Sequence, residues 1–252
     1  MSVYVIAEAG INHQGDMKLA TNLIVLAKQT GANAIKFQTY NTDRICRKEN
    51  REYAWLKQCQ LRDEDFRTLQ DQCSSLGIDF ISTPDDIHDA EFLESLHMPY
   101  MKIGSPNANE HFLFSLAHLK TPLLVSCGMG ADPAKLPSAG VKSFMHCTSA
   151  YPCPLAEANV ARVDGDLITG FSDHTSGATS AAMAVARGAV FIEKHFTSNT
   201  KLPGPDHKMS LNPTQMRFYV ETIRLCETLL GDGLCKIQPS EQHTIEQLKD
   251  RK

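Results

Sequence analysis

The chain has 252 residues, of which 42% are hydrophobic and 21% are charged, and its formal net charge is −4. This length and composition predict a single domain with a substantial core. The slightly acidic balance and the lack of a basic run argue against nucleic acid as a partner. No apolar run approaches the roughly 20 residues that a membrane helix needs, so we expect no membrane partner and a cytoplasmic location.

Strands and helices are predicted to alternate along the chain. Runs of β-branched or apolar residues indicate eight strands, at 4–7, 34–37, 79–82, 100–103, 123–126, 143–147, 167–171 and 190–193. Helical periodicity lies between them, at 17–30, 63–76, 87–96, 110–119, 177–187 and 212–230. Eight strands in about 250 residues favour a (β/α)8 TIM barrel over a doubly wound sheet, which usually has fewer strands.

Two connections are too poor in helix-forming sequence to carry a full covering helix. Residues 128–142, after the fifth strand, contain two prolines and three glycines. Residues 152–166, after the sixth strand, allow little more than two turns. We therefore predict a barrel over 1–232 with shortened helices at these two places, and a polar tail over 233–252. The thin side could expose an apolar patch that a second subunit covers, which predicts a homodimer.

Polar side chains stand at the predicted strand ends, where a barrel has its mouth. Lys36 and Lys102 each interrupt an apolar run, and a buried ammonium group needs an anionic partner. That partner could be a bound phosphate or carboxylate, or an internal ion pair with Glu8 or Glu193. Hydroxyl groups near the strand ends would complete an anion cradle, and they belong to Thr83, Ser105, Ser126, Ser149 and Ser172.

Two histidines, His174 and His195, follow neighbouring strands. As a pair they could hold one divalent metal ion through neutral imidazoles, with water and substrate completing an open coordination shell. The alternative is a structural role, with each ring hydrogen-bonded to Asp173 or Glu193. His13, His146 and His207 are weaker candidates. The eight cysteines form no CxxC pair, which suits free thiols in a reducing compartment.

An ordered series of motifs spans nearly the whole chain: EAGINHQGD, IKFQTY, STP, MKIGS, SCGM, MHCTSAYP, GFSDHTSG, EKHFT, PGPDHKMSLNP and GDG. The series resembles the sialic acid synthase family, which includes the N-acetylneuraminate, legionaminate and pseudaminate synthases. The resemblance implies a metal-dependent transferase that condenses phosphoenolpyruvate with an N-acylated amino sugar aldehyde. Phosphate and a nine-carbon 2-keto acid would be the products, and the metal would be Mn²⁺ or Mg²⁺.

The resemblance also implies site residues, position by position. Those that match the phosphoenolpyruvate cradle are Lys36, Thr83, Lys102, Ser105, Ser126, Ser149 and Ser172. His174 and His195 match the metal ligands. Those that match residues facing the sugar or the reacting centre are Glu8, Gln38, Tyr151 and Asp206.

The chain also departs from the family pattern. Pro106 and Asn107 stand where a glycine and a carboxylate are expected, and STPDD, at 82–86, replaces STPFD. The polar tail stands where the family has a small antifreeze-like domain, so we expect that domain to be absent or to be supplied by a separate polypeptide. Two alternatives stay open: a phosphoenolpyruvate-binding barrel that acts on another aldehyde, and a non-catalytic ligand-binding or regulatory homologue.

Overall fold

The computed structural model describes residues 2–249, and its centre is a closed barrel of eight parallel strands in sequential order. The strands are β1 (Tyr4–Gly10), β2 (Ala34–Thr39), β3 (Asp79–Pro84), β4 (Met101–Ile103), β5 (Leu123–Cys127), β6 (Val141–His146), β7 (Ile168–Asp173) and β8 (Phe191–His195). Pairing of β1 with β8 closes the ring. The prediction of a (β/α)8 TIM barrel is confirmed.

Helices surround the barrel. They are α1 (Met17–Thr30), α2 (Thr42–Ile45), α3 (Tyr53–Cys59), α4 (Asp63–Leu76), α5 (Ile87–Glu94), α6 (Glu110–Ser115), α7 (Thr179–Ala186), α8 (Pro213–Leu230) and α9 (Gln242–Lys249). Local sequence explains the longest of them. In α8, Pro213 occupies the first turn, and Asn212 and Gln215 cap each other's main-chain N–H groups.

The core has two parts, because side chains alternate between the two faces of each strand. One layer fills the inside of the barrel, and its buried members are Ile6, Ala34, Ile81, Leu124, Met145 and Phe191. Tyr4 and Tyr100 pack edge-on at 5.3 Å between ring centroids and close the amino-terminal end of this layer. The larger part lies between the outer face of the strands and the helices. The barrel is therefore solid, and its free space lies at the carboxyl ends of the strands.

The shortened helices predicted after β5 and β6 are confirmed. Only single 3₁₀ turns lie there, at Pro133–Lys135 after β5 and at Leu155–Glu157 and Val160–Arg162 after β6. The prolines and glycines of these segments cannot sustain a longer α-helix.

Other boundaries differ from the sequence-based ones. The helix predicted over 110–119 ends at Ser115, because the chain must turn towards β5, and Glu94 fixes that turn by accepting hydrogen bonds from the N–H groups of Lys120 and Thr121. Helices α2 and α3 were not predicted, and neither was α9, which lies in the polar tail. Within residues 2–249, no helix is long and apolar enough to cross a membrane.

Candidate active site

A cavity of about 770 Å³ opens at the carboxyl ends of the strands. Eleven of the thirteen predicted site residues line it: Glu8, Lys36, Gln38, Thr83, Lys102, Ser105, Ser126, Tyr151, Ser172, His174 and His195. Of the other two, Ser149 lies next to the cavity lining, where its hydroxyl oxygen is 2.7 Å from that of Ser105. Asp206 approaches from the loop before α8, with Oδ2 at 3.9 Å from Nδ1 of His195.

Both predicted lysines are buried and form internal ion pairs. Nζ of Lys36 lies 2.8 Å from Oε2 of Glu8, its register partner on β1, and 3.3 Å from Oε1 of Glu193. Nζ of Lys102 lies 3.5 Å from Oε2 of Glu193. The internal ion pair left open by the sequence is therefore present at both lysines. Burial opposes ionisation of Glu193, but Lys102 and Lys36 hold its pKa below the usual range.

The lysines also reach the hydroxyl groups of the cavity wall. Lys36 donates to the Thr83 hydroxyl oxygen at 2.7 Å, and Lys102 donates to that of Ser126 at the same distance. Ammonium groups and hydroxyls therefore form a continuous polar wall along β2 to β5. Such a wall can bind a phosphate or a carboxylate through several charge-assisted hydrogen bonds.

His174 and His195 face each other with 5.5 Å between their ring centroids. Nδ1 of His174 lies 2.7 Å from the main-chain oxygen of Thr148, which can only accept, so this nitrogen carries the proton and Nε2 keeps a lone pair. Nδ1 of His195 is buried without a hydrogen-bond partner among the described residues. Burial lowers the pKa of both imidazoles, so both are neutral at pH 7.

The structural alternative for these histidines is wrong where it names Asp173. Asp173 lies on the outer face of β7, where Oδ2 is 3.1 Å from Nζ of Lys194 and accepts a hydrogen bond from the Tyr219 hydroxyl of α8. The pairing follows from strand alternation, which sends Asp173 outward and His174 inward. Among residues 2–249, no group of three His, Cys, Asp or Glu side chains has the geometry of a complete metal site.

Polar groups also converge around Gly10, at the end of β1. A Cβ atom at this position would lie 3.0 Å from Oε1 of Glu8, 3.5 Å from Oε1 of Gln38 and 3.6 Å from Oδ2 of Asp206. Tyr151 covers the imidazole pair from the opposite side, with its ring centroid 4.3 Å from that of His174. Three of the four residues predicted to face the sugar or the reacting centre thus converge at Gly10, and the fourth, Tyr151, lies against the imidazole pair.

The weaker histidine candidates do not line this cavity. His146 lies 2.9 Å through Nε2 from the main-chain oxygen of Ala158, and His207 lies 2.7 Å through Nδ1 from the Thr197 hydroxyl. His13 accepts a hydrogen bond from the Gly15 N–H within the β1–α1 turn.

Sequence reasoning missed the outer part of the cavity, which Arg44, Glu52, Asp85 and Asp86 line. Arg44 and Glu52 belong to the segment with the unpredicted helices α2 and α3, so no motif pointed to them. Asp85 did have a signal, since the acidic pair in STPDD directly follows β3.

Comparison with known families and proteins places this cavity in context. The model of the NeuB family matches residues 23–234. The chain is 37% identical to the N,N'-diacetyllegionaminic acid synthase of Legionella pneumophila, over 96% of this chain and 77% of that protein. It is 31% identical to the human N-acetylneuraminate-9-phosphate synthase, over 97% of this chain and 76% of that protein.

A solved structure agrees with these similarities. The N-acetylneuraminic acid synthetase of Leptospira borgpetersenii, crystallised with citrate, superimposes with a TM-score of 0.88 at 32% sequence identity. The match covers 100% of this chain and 94% of that one.

Proposed function

The chain belongs to the NeuB family, and on that premise we propose that it is a transferase that condenses phosphoenolpyruvate with an N-acylated amino sugar aldehyde. The products are phosphate and a sialic-type (nonulosonic) 2-keto acid. The observation that carries the proposal is that one cavity joins a wall of lysines and hydroxyls to a pair of neutral imidazoles.

Phosphoenolpyruvate carries a phosphate and a carboxylate, and the lysine–hydroxyl wall suits both. Lys102 with Ser126, and Lys36 with Thr83, already point ammonium and hydroxyl groups into the same space. Ser105 and Ser172 extend this wall on either side. Held in this way, the substrate has its enol carbon fixed in one direction, which is the main contribution that positioning makes to a bimolecular reaction.

A divalent cation, Mn²⁺ or Mg²⁺, fits the imidazole pair. Nε2 of His174 is unprotonated and has only the Ser172 hydroxyl near it, at 3.4 Å, while the opposite nitrogen is fixed by Thr148, as is usual for metal-bound histidine. The two lysines would repel a cation if they were unpaired. Glu8 and Glu193 largely neutralise them, so a cation at the imidazoles meets less repulsion. When bound, the ion supplies Lewis-acid polarisation of the acceptor carbonyl.

The acceptor sugar is held by the groups around Gly10. Gln38 and Asp206 offer an amide and a carboxylate for sugar hydroxyls, while Glu8 lies between them and Lys36. Tyr151 covers the imidazoles and limits the approach of bulk water. These residues orient the aldehyde carbon towards the enol carbon, so that a carbon–carbon bond can form within the cavity.

The test is phosphate release from phosphoenolpyruvate with Mn²⁺, measured against a panel of hexosamines and other aldoses and a control without sugar. We expect sugar-dependent release. His195→Ala should lower turnover about 100-fold or more while phosphoenolpyruvate still binds, and Lys102→Ala should weaken that binding itself. Unchanged turnover of His195→Ala would exclude the metal assignment.

The same assay separates the alternatives. Release with an acceptor other than an amino sugar would favour the barrel that acts on another aldehyde. Tight phosphoenolpyruvate binding without release from any acceptor would favour the non-catalytic homologue, a reading to which Asn107 gives support because an amide has no basic atom. The homodimer stays a prediction, and sedimentation of the chain alone tests it.

A further inference from the structure

Most carboxylates of the cavity are already committed to other groups. Both Glu8 and Glu193 are buried; Glu8 pairs with Lys36, and Glu193 pairs with Lys36 and Lys102, which hold its pKa below the usual range. Glu193 is therefore stabilised in its charged form and is poorly suited to take up a proton, whereas burial raises the pKa of Glu8 to about 7 although Lys36 pulls it down. Glu8 is nevertheless tied to Nζ of Lys36 at 2.8 Å.

The carboxylates at the rim of the cavity are either paired with other groups or exposed at its outer edge. Asp86 contacts the Arg44 guanidinium and accepts a hydrogen bond from the Asp89 N–H at the start of α5. The Glu52 side chain is 64% exposed, at the outer edge of the cavity.

Asp85 is different. It is half-buried, lines the cavity directly after β3, and within residues 2–249 its carboxylate has neither an ion pair nor a hydrogen-bond donor. Its main chain is fixed at both ends: its N–H donates to the Thr39 oxygen at 3.1 Å, and its oxygen accepts from Nδ2 of Asn107 at 3.2 Å. The backbone is therefore anchored while the carboxylate stays available to the cavity.

The charged and titratable groups around Asp85 are Lys36 on β2, Tyr40 just after it, and Asp86 with its partner Arg44. Burial raises the pKa of Asp85 to about 6, although Lys36 pulls it down. The carboxylate is thus ionised at neutral pH and is more basic than an ordinary aspartate. A general base with a pKa close to the working pH is the most effective kind.

We propose that Asp85 is a catalytic residue of this chain, the base that takes a proton from the water attacking C2 of phosphoenolpyruvate during condensation. The inference rests on the proposed function. Its basis is the position of Asp85: an anchored, unpaired carboxylate on the same wall as Lys36 and Thr83, beside an amide at position 107 that cannot act as a base.

The step balances without any further reactant. As the enol carbon bonds to the aldehyde carbon, C2 becomes electron-poor and the water oxygen bonds to it, while Asp85 takes one of the water protons. The C2–O bond to phosphate then breaks, and its electron pair leaves with the phosphate while the C2 hydroxyl becomes the keto group. One water proton ends on the new hydroxyl of the sugar carbon and the other on the released phosphate.

The test compares Asp85→Asn with the wild type in phosphoenolpyruvate, Mn²⁺ and the best acceptor. We expect kcat to fall roughly 10²–10⁴-fold, the usual loss for a general base, while the Kd for phosphoenolpyruvate by calorimetry stays within about threefold. The wild-type kcat should fall as pH drops below about 6, because the base is then protonated, and this dependence should be absent in Asp85→Asn. Formate should restore part of the activity of Asp85→Ala by replacing the lost carboxylate.

Glu91→Gln provides the matched control, since it removes an exposed carboxylate from α5, outside the cavity. A kcat for Asp85→Asn within about threefold of the wild type overturns this inference and leaves the proposed function standing. Joint loss of turnover and phosphoenolpyruvate binding, without rescue by formate, also overturns it, because a structural residue behaves in that way. If the wild type releases no phosphate with any acceptor, the proposed function and this inference fall together.

Discussion

Side-chain direction along each strand decides what a residue does in this barrel. On β8, Glu193 and His195 line the cavity, whereas Lys194 between them pairs with Asp173 and lies 5.4 Å from the ring centroid of Tyr219 on α8. One strand thus supplies two site residues and one outer tie between barrel and helix. Alternation with a period of two is enough to separate these roles.

The His13 side chain packs in the protein interior and lies outside the cavity. It is fully buried against Phe37, and Nε2 has no hydrogen-bond partner within the described chain. Burial lowers its pKa from 6.5 to about 4. Between these values the unfolded chain binds more protons than the folded one, so stability is complete above pH 6.5 and is lost as pH falls towards 4.

We therefore predict that His13→Gln has a flatter pH dependence of stability. Between pH 6.5 and 4, the free energy of unfolding of the wild type should fall by about 3 kcal/mol more than that of the variant. Urea titrations at several pH values measure this difference, and His88→Gln, at an exposed position, serves as the control. Parallel pH curves for the wild type and His13→Gln would contradict the assignment.

At the scale of elements, the β1–α1 turn and helix α3 dock through a glycine. Gly15 has φ +77°, and a Cβ atom there would lie only 2.1 Å from the main-chain oxygen of Gln58. Trp55 of α3, the single tryptophan of the chain, packs near the same place with Ile11 and Tyr40. The segment that forms the outer cavity wall is thus held by close backbone contact.

Gly15→Ala should therefore loosen α3 as well as strain the turn. The positive φ alone costs about 1 kcal/mol for alanine, and the clash with Gln58 adds to it. Gly140→Ala isolates the first effect, because Gly140 has φ +74° and no atom within 4 Å of the added carbon. We expect a larger loss of stability and a red-shifted Trp55 emission only for Gly15→Ala, and equal losses with unchanged emission would contradict this docking.

At the scale of the whole molecule, the barrel is well buried whereas the tail is mostly exposed. Residues 231–249 are exposed apart from the half-buried Ile245, and their side-chain hydrogen bonds remain within the tail. Since burial supplies most of the stability of a domain, the barrel should not depend on them.

Deletion of residues 234–252 should leave the barrel intact. We expect the thermal midpoint to change by less than about 2 °C, which corresponds to under roughly 1 kcal/mol for a chain of this size. Differential scanning calorimetry measures the change, and phosphoenolpyruvate binding checks that the cavity is kept. A fall of more than about 4 °C would show that the tail packs on the barrel.

The sequence by itself determined the barrel and the polar residues at its mouth. Strand periodicity and the prolines and glycines after β5 are local signals, and strand order follows because neighbouring parallel strands are joined by short right-handed connections. The strand-end lysines, hydroxyls and histidines were found in the same way, since every parallel strand delivers its carboxyl end to one side.

Only the tertiary structure decided which of these groups meet. The sharing of Glu193 by two lysines, the outward turn of Asp173 and the free carboxylate of Asp85 depend on register and on contacts between distant segments. Helices α2 and α3 are also products of tertiary packing, because segments of four and seven residues have little helical stability of their own. Sequence periodicity predicts which face of a strand or helix a residue occupies. It does not predict which residue from a distant segment contacts that face.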